Sequence, residues 1–334
     1  MNKATESGKS LNVVVVGAGV MGHGLALLLA KAGHKVMLVD LTEEILKQAI
    51  SLIRSNLLML RDLNQISEKT ISEVMERISV STRMEVLSDA ELAIEAISEE
   101  PEAKRAFYSM AETLLSPDAI VASNTSFLNV FELAPDSLQK RLLISHFFAP
   151  PYLIPLVELV RGPATLDEVI DRMKDMLIDA GQKPVVMEKY IPGFIVNRLQ
   201  RAMGSEIFNL IDGGYAKPEE IDRAVLASLG IRLPVLGVVR SYDFNGLDLL
   251  FNVYSNPSGE TNENRAPAAL KNLVAKGYLG VKTGKGFYDY KGKEPHEIYE
   301  QRDKLLMRMR EVLEEIEDKL WRPYPGRDIS EITE

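Results

Sequence analysis

The sequence predicts an α/β protein, a doubly wound and mostly parallel sheet followed by an all-helical C-terminal domain. Three observations carry this expectation. Residues 13–40 read as strand, glycine turn, helix and strand, with Gly17-x-Gly19-x-x-Gly22 directly after the apolar run Val13-Val14-Val15-Val16. Short apolar runs then alternate with amphipathic stretches as far as residue 187, the pattern of repeated βαβ units. Beyond Ile191 the strand patterning almost vanishes and helical periodicity takes over.

The first run is the β-branched kind that is buried on both faces of a parallel sheet. In the turn, Gly17 allows a tight bend, Gly19 lets the backbone approach a pyrophosphate, and Gly22 lets the helix pack close to the strand. Val20 and Met21 complete the turn at the helix start, where free N–H groups favour an anion. The helix Leu25–Ala30 stops at Gly33, and Lys35–Val39 forms a second strand ending in Asp40. An acid about 20 residues beyond the glycines, in that strand–helix context, is the Rossmann-type dinucleotide fingerprint. Asp40 suits both adenosine ribose hydroxyls and repels a 2′-phosphate, and no arginine occurs in Leu41-Thr42-Glu43-Glu44. NAD is therefore expected rather than NADP. A packing turn beside an ordinary surface acid is the competing reading.

Ile45, Ala49, Leu52, Ile53 and Leu57 share one face of the next helix. Residues 66–77 read as a helix, 78–80 and 92–96 as strands, and Pro101 opens a helix over 101–115. The strand 119–123 runs into Asn124-Thr125-Ser126. Strands follow at 141–146 and 156–160, then a helix over 166–180 that stops at Gly181 and a closing strand at 183–187. The Pro192-Gly193 turn places a boundary near residue 190, giving domains 1–190 and 191–334. In the second, residues 194–212, 218–228, 265–276 and 297–319 carry helical periodicity, punctuated by Gly213-Gly214, Gly230 and Gly277. The polar stretch 255–265 reads as a mobile loop. The charged last helix is suited to packing across its domain or against a partner subunit.

Composition narrows the function classes. With 334 residues, 46% apolar and 26% charged, the chain has the make-up of an ordinary two-domain globular protein. A net charge of −9 argues against nucleic acid as a partner. No cysteine is present, so disulfides, thiol nucleophiles and thiolate metal sites are excluded. Four histidines without paired spacing offer little to a metal centre, and none is expected. No secretory signal or membrane-length apolar run is evident, so a cytoplasmic protein with no membrane partner is expected.

Ligands of such sheets lie at the carboxyl ends of the strands. The polar groups expected there are Ser123-Asn124-Thr125-Ser126, His146 and Glu158. A histidine at a strand end beside a carboxylate on a neighbouring strand is a candidate general base with its orienting partner; a merely packed histidine is the alternative. Glu158 interrupts Pro155-Leu156-Val157-Glu158-Leu159-Val160, and a carboxylate inside an apolar strand is costly unless paired. A structural salt bridge is its rival role.

Taken together, Gly-x-Gly-x-x-Gly, Ser-Asn-Thr-Ser (123–126), His-Phe-Phe-x-Pro (146–150), Leu-Val-Glu (156–158) and Pro-Gly-Phe-Ile-Val-Asn-Arg (192–198) resemble L-3-hydroxyacyl-CoA dehydrogenase. Lys282-Thr283-Gly284-Lys285-Gly286-Phe287-Tyr288 is similar to the second-domain signature of that family. The resemblance implies NAD-dependent, reversible oxidation of the 3-hydroxyl of a 3-hydroxyacyl-CoA, of short chain such as 3-hydroxybutyryl-CoA, by a homodimer. It implies that His146 takes the hydroxyl proton, that Glu158 orients the imidazole, and that Ser126 and Asn197 hydrogen-bond the reacting oxygen or the nearby carbonyl. Glu99 and Lys104 match family residues near the nicotinamide ribose. Without the resemblance, Ser126 is a loop serine and Asn197 a helix-face or capping residue.

The chain departs from the family at Ala149, where asparagine is usual, and only Lys47 and Arg54 stand near where the family carries CoA-facing lysines. Pro150-Pro151-Tyr152-Leu153-Ile154-Pro155 is similar to the lambda-crystallin and L-gulonate 3-dehydrogenase branch, which acts on free hydroxy acids. Leu229-Gly230-Ile231-Arg232 is similar to that branch and to carnitine dehydrogenases, and implies Arg232 as a carboxylate anchor; a solvated helix-end cation is the alternative. The free acid (L-gulonate, 3-hydroxybutyrate or carnitine type) is thus the second substrate expectation. A non-catalytic dinucleotide-binding or structural protein is the reading from another class.

Overall fold

A computed structural model describes residues 10–255 and 266–320. They form two compact units that divide between Ala202 and Met203.

The first unit is built on an eight-stranded sheet. Its strands are β1 (Asn12–Val16), β2 (Lys35–Val39), β3 (Ile78–Ser81), β4 (Leu92–Glu95), β5 (Ile120–Ser123), β6 (Leu142–Phe147), β7 (Leu156–Arg161) and β8 (Lys183–Met187). They lie in the order β3-β2-β1-β4-β5-β6-β7-β8. The first six are parallel, β7 runs antiparallel to β6, and β8 runs parallel to β7. Helices α1 (Gly22–Lys31), α2 (Glu43–Asp62), α3 (Glu68–Glu76), α4 (Pro101–Leu114) and α5 (Asp167–Asp179) cover the sheet.

The four valines of β1 show why such a run has no polar face. Val13 and Val15 enter one hydrophobic cluster with Leu25, Leu28 and Ile53, while Val14 and Val16 enter a second with Phe107, Tyr108 and Phe131. Side chains alternate along a strand, so a sheet packed on both faces needs apolar residues at every position. Helix starts are set locally: the Thr42 hydroxyl accepts from the Ile45 amide at 3.3 Å at the start of α2, and Ser67 does the same for Thr70 at 3.1 Å at the start of α3.

The second unit is helical. After α6 (Val196–Asp212), which spans the division between units, come α7 (Pro218–Leu236), α8 (Val238–Asn245), α9 (Leu247–Ser255), α10 (Ala268–Ala275) and α11 (Pro295–Leu320). Two expectations need correction. Gly230 does not end a helix at residue 228; α7 continues to Leu236, and a Cβ at Gly230 would lie 3.7 Å from Leu313 of α11, an ordinary contact, so neither a break nor a close approach requires glycine there. The actual breaks are Gly237 and Gly246, at φ +72° and +96°, backbone that other residues rarely adopt. They separate α8 and α9, which the glycine pattern alone did not reveal. Of the expected mobile loop 255–265, Ser255 ends α9 and the remainder lies outside the described residues.

The Lys282–Tyr288 signature owes its conformation to Asp243, which ends up fully buried near the end of α8. Its carboxylate accepts the Phe287 and Tyr288 amides at 2.9 and 3.0 Å and the Tyr290 hydroxyl at 3.0 Å. A Cβ at Gly286 would fall 2.3 Å from that carboxylate. The signature is therefore a shell folded around one buried acid.

Candidate active site

The glycine turn has the shape expected of a dinucleotide cradle. Gly17 sits at φ +100°, donates to the Val39 carbonyl at 2.8 Å, and leaves no room for a Cβ, which would lie 2.4 Å from the Ala96 carbonyl oxygen. At Gly22 a Cβ would lie 1.7 Å from the Gly17 carbonyl oxygen, so helix and turn touch backbone to backbone. Gly19 differs: a Cβ there would meet nothing within 4 Å. The protein has no packing use for that glycine, and open space over it fits a backbone reserved for close approach of a diphosphate. Val20 is exposed beside it, and Met21 caps α1.

Asp40 closes the other end of the cradle. Its two oxygens accept the Ala18 amide at 2.6 Å and the Leu41 amide at 2.7 Å, which fixes the carboxylate while leaving lone pairs for a ribose diol. Asp40 also donates its own amide to the Ser81 carbonyl at 3.4 Å. Ser81 lines a cavity of about 490 Å³ whose walls mix the apolar Leu46, Ile50 and Val80 with the polar Glu43, Lys47, Thr82 and Arg83. The residues present therefore fit NAD: Gly17, Gly19 and Gly22 with the start of α1 for the diphosphate, Asp40 for the adenosine ribose.

His146 and Glu158 face each other directly across the antiparallel pair of β6 and β7. The His146 Nδ1 and Glu158 Oε2 lie 2.8 Å apart, with His146 5% exposed and Glu158 fully buried. One correction concerns how they meet. Glu158 is not at the carboxyl end of its strand; it lies near the amino end of β7, and only the reversed direction of that strand brings it to the carboxyl end of β6. The other carboxylate oxygen, Oε1, accepts the Ile195 and Val196 amides at 3.0 Å each, where α6 begins. Three N–H donors thus hold the carboxylate, two of them at the positive end of a helix. Phe148 and Phe194 both lie against the imidazole in tilted contact, with ring centres at 4.6 and 5.2 Å. Because Nδ1 donates to Glu158, the neutral ring carries its free lone pair on Nε2.

The remaining candidates divide between the two units. Ser126 follows β5, and its amide donates to Glu99 Oε1 at 2.8 Å, as does Phe127 at 3.0 Å; Thr125 donates its hydroxyl to the same oxygen at 2.5 Å. Burial pushes the Glu99 carboxyl up, but the Thr125 hydroxyl, the Lys104 charge and the two amides outweigh it and hold the group below its ordinary value. Asn197 is the second residue of α6, next to the amide that binds Glu158. Lys104, expected near the nicotinamide ribose with Glu99, is 1% exposed, and its ammonium lies 2.6 Å from Glu95 and 3.2 Å from Glu99. It orders Glu99 rather than offering its charge to solvent. Arg232 belongs to the second unit, inside α7 rather than at a helix end; its Nε donates to the Ser228 carbonyl at 3.3 Å, and it forms no ion pair among the described residues.

Asn124, expected only as part of the polar run after β5, accepts the Phe147 amide at 2.9 Å and so ties the end of β5 to the strand end that carries His146. One residue was missed. Glu95 ends β4 fully buried. Its signal was available, a carboxylate closing the apolar run Leu92-Ala93-Ile94, the same argument that drew attention to Glu158.

Comparison with known proteins adds to this geometry. The family profile described as "3-hydroxyacyl-CoA dehydrogenase, NAD binding domain" matches residues 12–190, and that described as "3-hydroxyacyl-CoA dehydrogenase, C-terminal domain" matches residues 193–290. A 3-hydroxybutyryl-CoA dehydrogenase of Bradyrhizobium diazoefficiens is 34% identical over 287 residues, 85% of this chain and 96% of that protein. A 5-formyl-3-hydroxy-2-methylpyridine 4-carboxylate 5-dehydrogenase of Mesorhizobium japonicum is 29% identical over 307 residues, 91% of this chain and 98% of that protein. Among solved structures, a 3-hydroxyacyl-CoA dehydrogenase from Archaeoglobus fulgidus superimposes with a TM-score of 0.74 at 28% identity, covering 91% of this chain and 99% of that one.

Proposed function

From the premise that this chain belongs to the 3-hydroxyacyl-CoA dehydrogenase family and is an NAD-dependent oxidoreductase acting on CH–OH, we propose that its substrate is a short-chain 3-hydroxyacyl-CoA such as 3-hydroxybutyryl-CoA. The reaction is reversible oxidation of the 3-hydroxyl to a 3-oxo group. The observation that carries the chemistry is the His146–Glu158 pair, buried, 2.8 Å apart and at the same sheet edge as the glycine turn.

Bound NAD would supply the hydride acceptor at this site. His146 Nε2 accepts the proton of the substrate hydroxyl as C3 gives up its hydride, and returns it in the reverse direction. The imidazolium so formed lies against Glu158, which is held from behind by the amides of Ile195 and Val196 and so need not reorganise as charge develops. Ser126 and Asn197 supply hydrogen bonds to the reacting oxygen and the nearby carbonyl. Phe148 and Phe194 exclude water from the ring. The second unit exposes Phe208, Leu249 and Val253, apolar side chains that suit self-association as a homodimer.

A free hydroxy acid is the second reading. It is favoured by Arg232, a cation without an ion-pair partner among the described residues, and by the Mesorhizobium japonicum relative, whose named substrate carries a free carboxylate. The two readings separate in a substrate panel followed by NADH absorbance. With 3-hydroxybutyryl-CoA, 3-hydroxybutyrate, gulonate and carnitine compared, the thioester is expected to give a kcat/KM at least about tenfold above any free acid. A free acid that outperforms it, with Arg232→Ala raising its KM, replaces the CoA reading.

A further inference from the structure

The first unit buries a second set of charges that the proton transfer itself does not use. Glu95, at the end of β4, is fully buried, and Lys104, in the first turn of α4, is 1% exposed. Glu95 Oε1 accepts from Lys104 Nζ at 2.6 Å and from the Ile97 amide at 3.0 Å. Glu95 Oε2 accepts from the Ser123 hydroxyl at 2.6 Å and the Tyr108 hydroxyl at 3.4 Å. Every lone-pair direction of this carboxylate is thereby engaged from β5, α4 and the segment after β4.

A buried ion pair is a poor way to gain stability, because desolvation of both charges offsets most of their attraction and apolar replacements are often as stable. What apolar side chains could not do here is reach onward. Lys104 Nζ also contacts Glu99 Oε2 at 3.2 Å, and Glu99 Oε1 gathers the Thr125 hydroxyl at 2.5 Å and the Ser126 and Phe127 amides at 2.8 and 3.0 Å. Thr125 Oγ1 in turn accepts the Leu128 amide at 2.9 Å. The result is a continuous set of contacts that starts in the rigid strands β4 and β5 and ends on the loop bearing Ser126.

We propose that Glu95 and Lys104 are positioning residues for the reaction: their buried ion pair anchors Glu99, and Glu99 clamps the Thr125–Phe127 backbone so that the Ser126 hydroxyl is held at the substrate oxygen. Glu95 has no contact with substrate in this arrangement; it acts through Lys104. Only the last clause depends on the substrate reading given above, because the clamp on the loop is a property of the free protein. Glu99 is half-exposed and carries the clamp at its outer end, so the network runs from a fully buried acid to one at the site surface. Burial together with the neighbouring Glu95 charge pushes the Tyr108 phenol well above its ordinary value, which leaves it a donor to Glu95 throughout the working range.

The test uses the double variant Glu95→Gln with Lys104→Met, which removes both charges together and leaves neither unpaired. If the pair only stabilises the fold, this neutral replacement restores thermal stability and activity together. Under the proposal it folds, but amide hydrogen exchange at Ser126 and Phe127 accelerates by about tenfold or more, and kcat for 3-hydroxybutyryl-CoA falls by about tenfold. Glu99→Ala, at a half-exposed position where folding is not at stake, removes the acceptor itself and is expected to lose the same two protections. Wild-type protection of Ser126 and Phe127 in either folded variant overturns the proposal. Should the wild-type protein turn over no 3-hydroxyacyl-CoA, the substrate reading fails while the exchange measurement still decides the clamp.

Discussion

His146→Gln is expected to lower the turnover number by about 10²–10⁴-fold, the range typical of a lost general acid–base group, while NADH still binds. Glutamine at this position keeps a polar group within reach of Glu158 and adds no bulk against Phe148 and Phe194. Its amide cannot accept a proton at neutral pH, so what is removed is the function of Nε2 and little else. The split between binding and turnover follows from where the parts lie. The cradle proposed for the diphosphate and ribose comprises Gly17, Gly19, Gly22 and Asp40, in the turn from β1 to α1 and just after β2, and His146 is not part of it. NADH titration by fluorescence, beside steady-state rates, separates the two quantities. A fall in both together would mean that the ring supports the fold of the site rather than the proton transfer.

The second large effect is expected at Gly22. Adding one methyl group there places a carbon 1.7 Å from the Gly17 carbonyl oxygen, and the obstacle is backbone rather than a side chain that could rotate away. Either α1 moves off β1 or the turn opens. Both change the diphosphate cradle, and both disturb packing in which Leu25, Leu27, Leu28 and Leu29 are fully buried. Overpacking costs of about 3 kcal/mol correspond to a fall in Tm of roughly 6–12 °C for a unit of this size. Calorimetry of Gly22→Ala is therefore expected to show that fall, together with loss of measurable NADH affinity. Gly19→Ala provides the contrast. With open space around its Cβ position, this variant should fold as the wild type does and lose affinity only for the dinucleotide.

How much of this was legible in the sequence depends on whether a residue's surroundings are local. The strands of the first unit were readable because a sheet covered on both faces leaves an uninterrupted apolar run, as in Val13–Val16. The direction of β7 is not a property of its own residues. It was nonetheless available from length: residues 148–155 join β6 to β7, and eight residues are fewer than the dozen or more that a parallel crossover needs. Read that way, Glu158 comes opposite His146 without any appeal to a family. Glu95 was legible by the argument already applied to Glu158, whereas Lys104 was not. A lysine in the first turn of a helix is ordinarily solvated, and only the fold shows its ammonium enclosed by Glu95 and Glu99.

Other residues could not be found from local pattern at all. Ser126 and Asn197 are ordinary in their sequence context, and their candidacy came from the family resemblance. The structure adds their neighbours, with Glu99 on the Ser126 amide and Glu158 on the amide preceding Asn197. In the second unit, Gly230 looked like punctuation and proved to lie inside α7, while Gly237 and Gly246 carry the positive φ angles that end helices. Glycine in a helical stretch has two uses, close packing and left-handed backbone, and composition does not distinguish them.

In the proposed function, His146 is the group that exchanges a proton with the substrate. The most direct measurement is NADH formation by His146→Ala, followed at 340 nm with and without added imidazole. Alanine leaves a ring-sized space beside Phe148 and Phe194, next to Glu158, that free imidazole can enter. The predicted result is a rate reduced by at least about a hundredfold that rises saturably with imidazole. A rate close to that of the wild type, indifferent to imidazole, would contradict it.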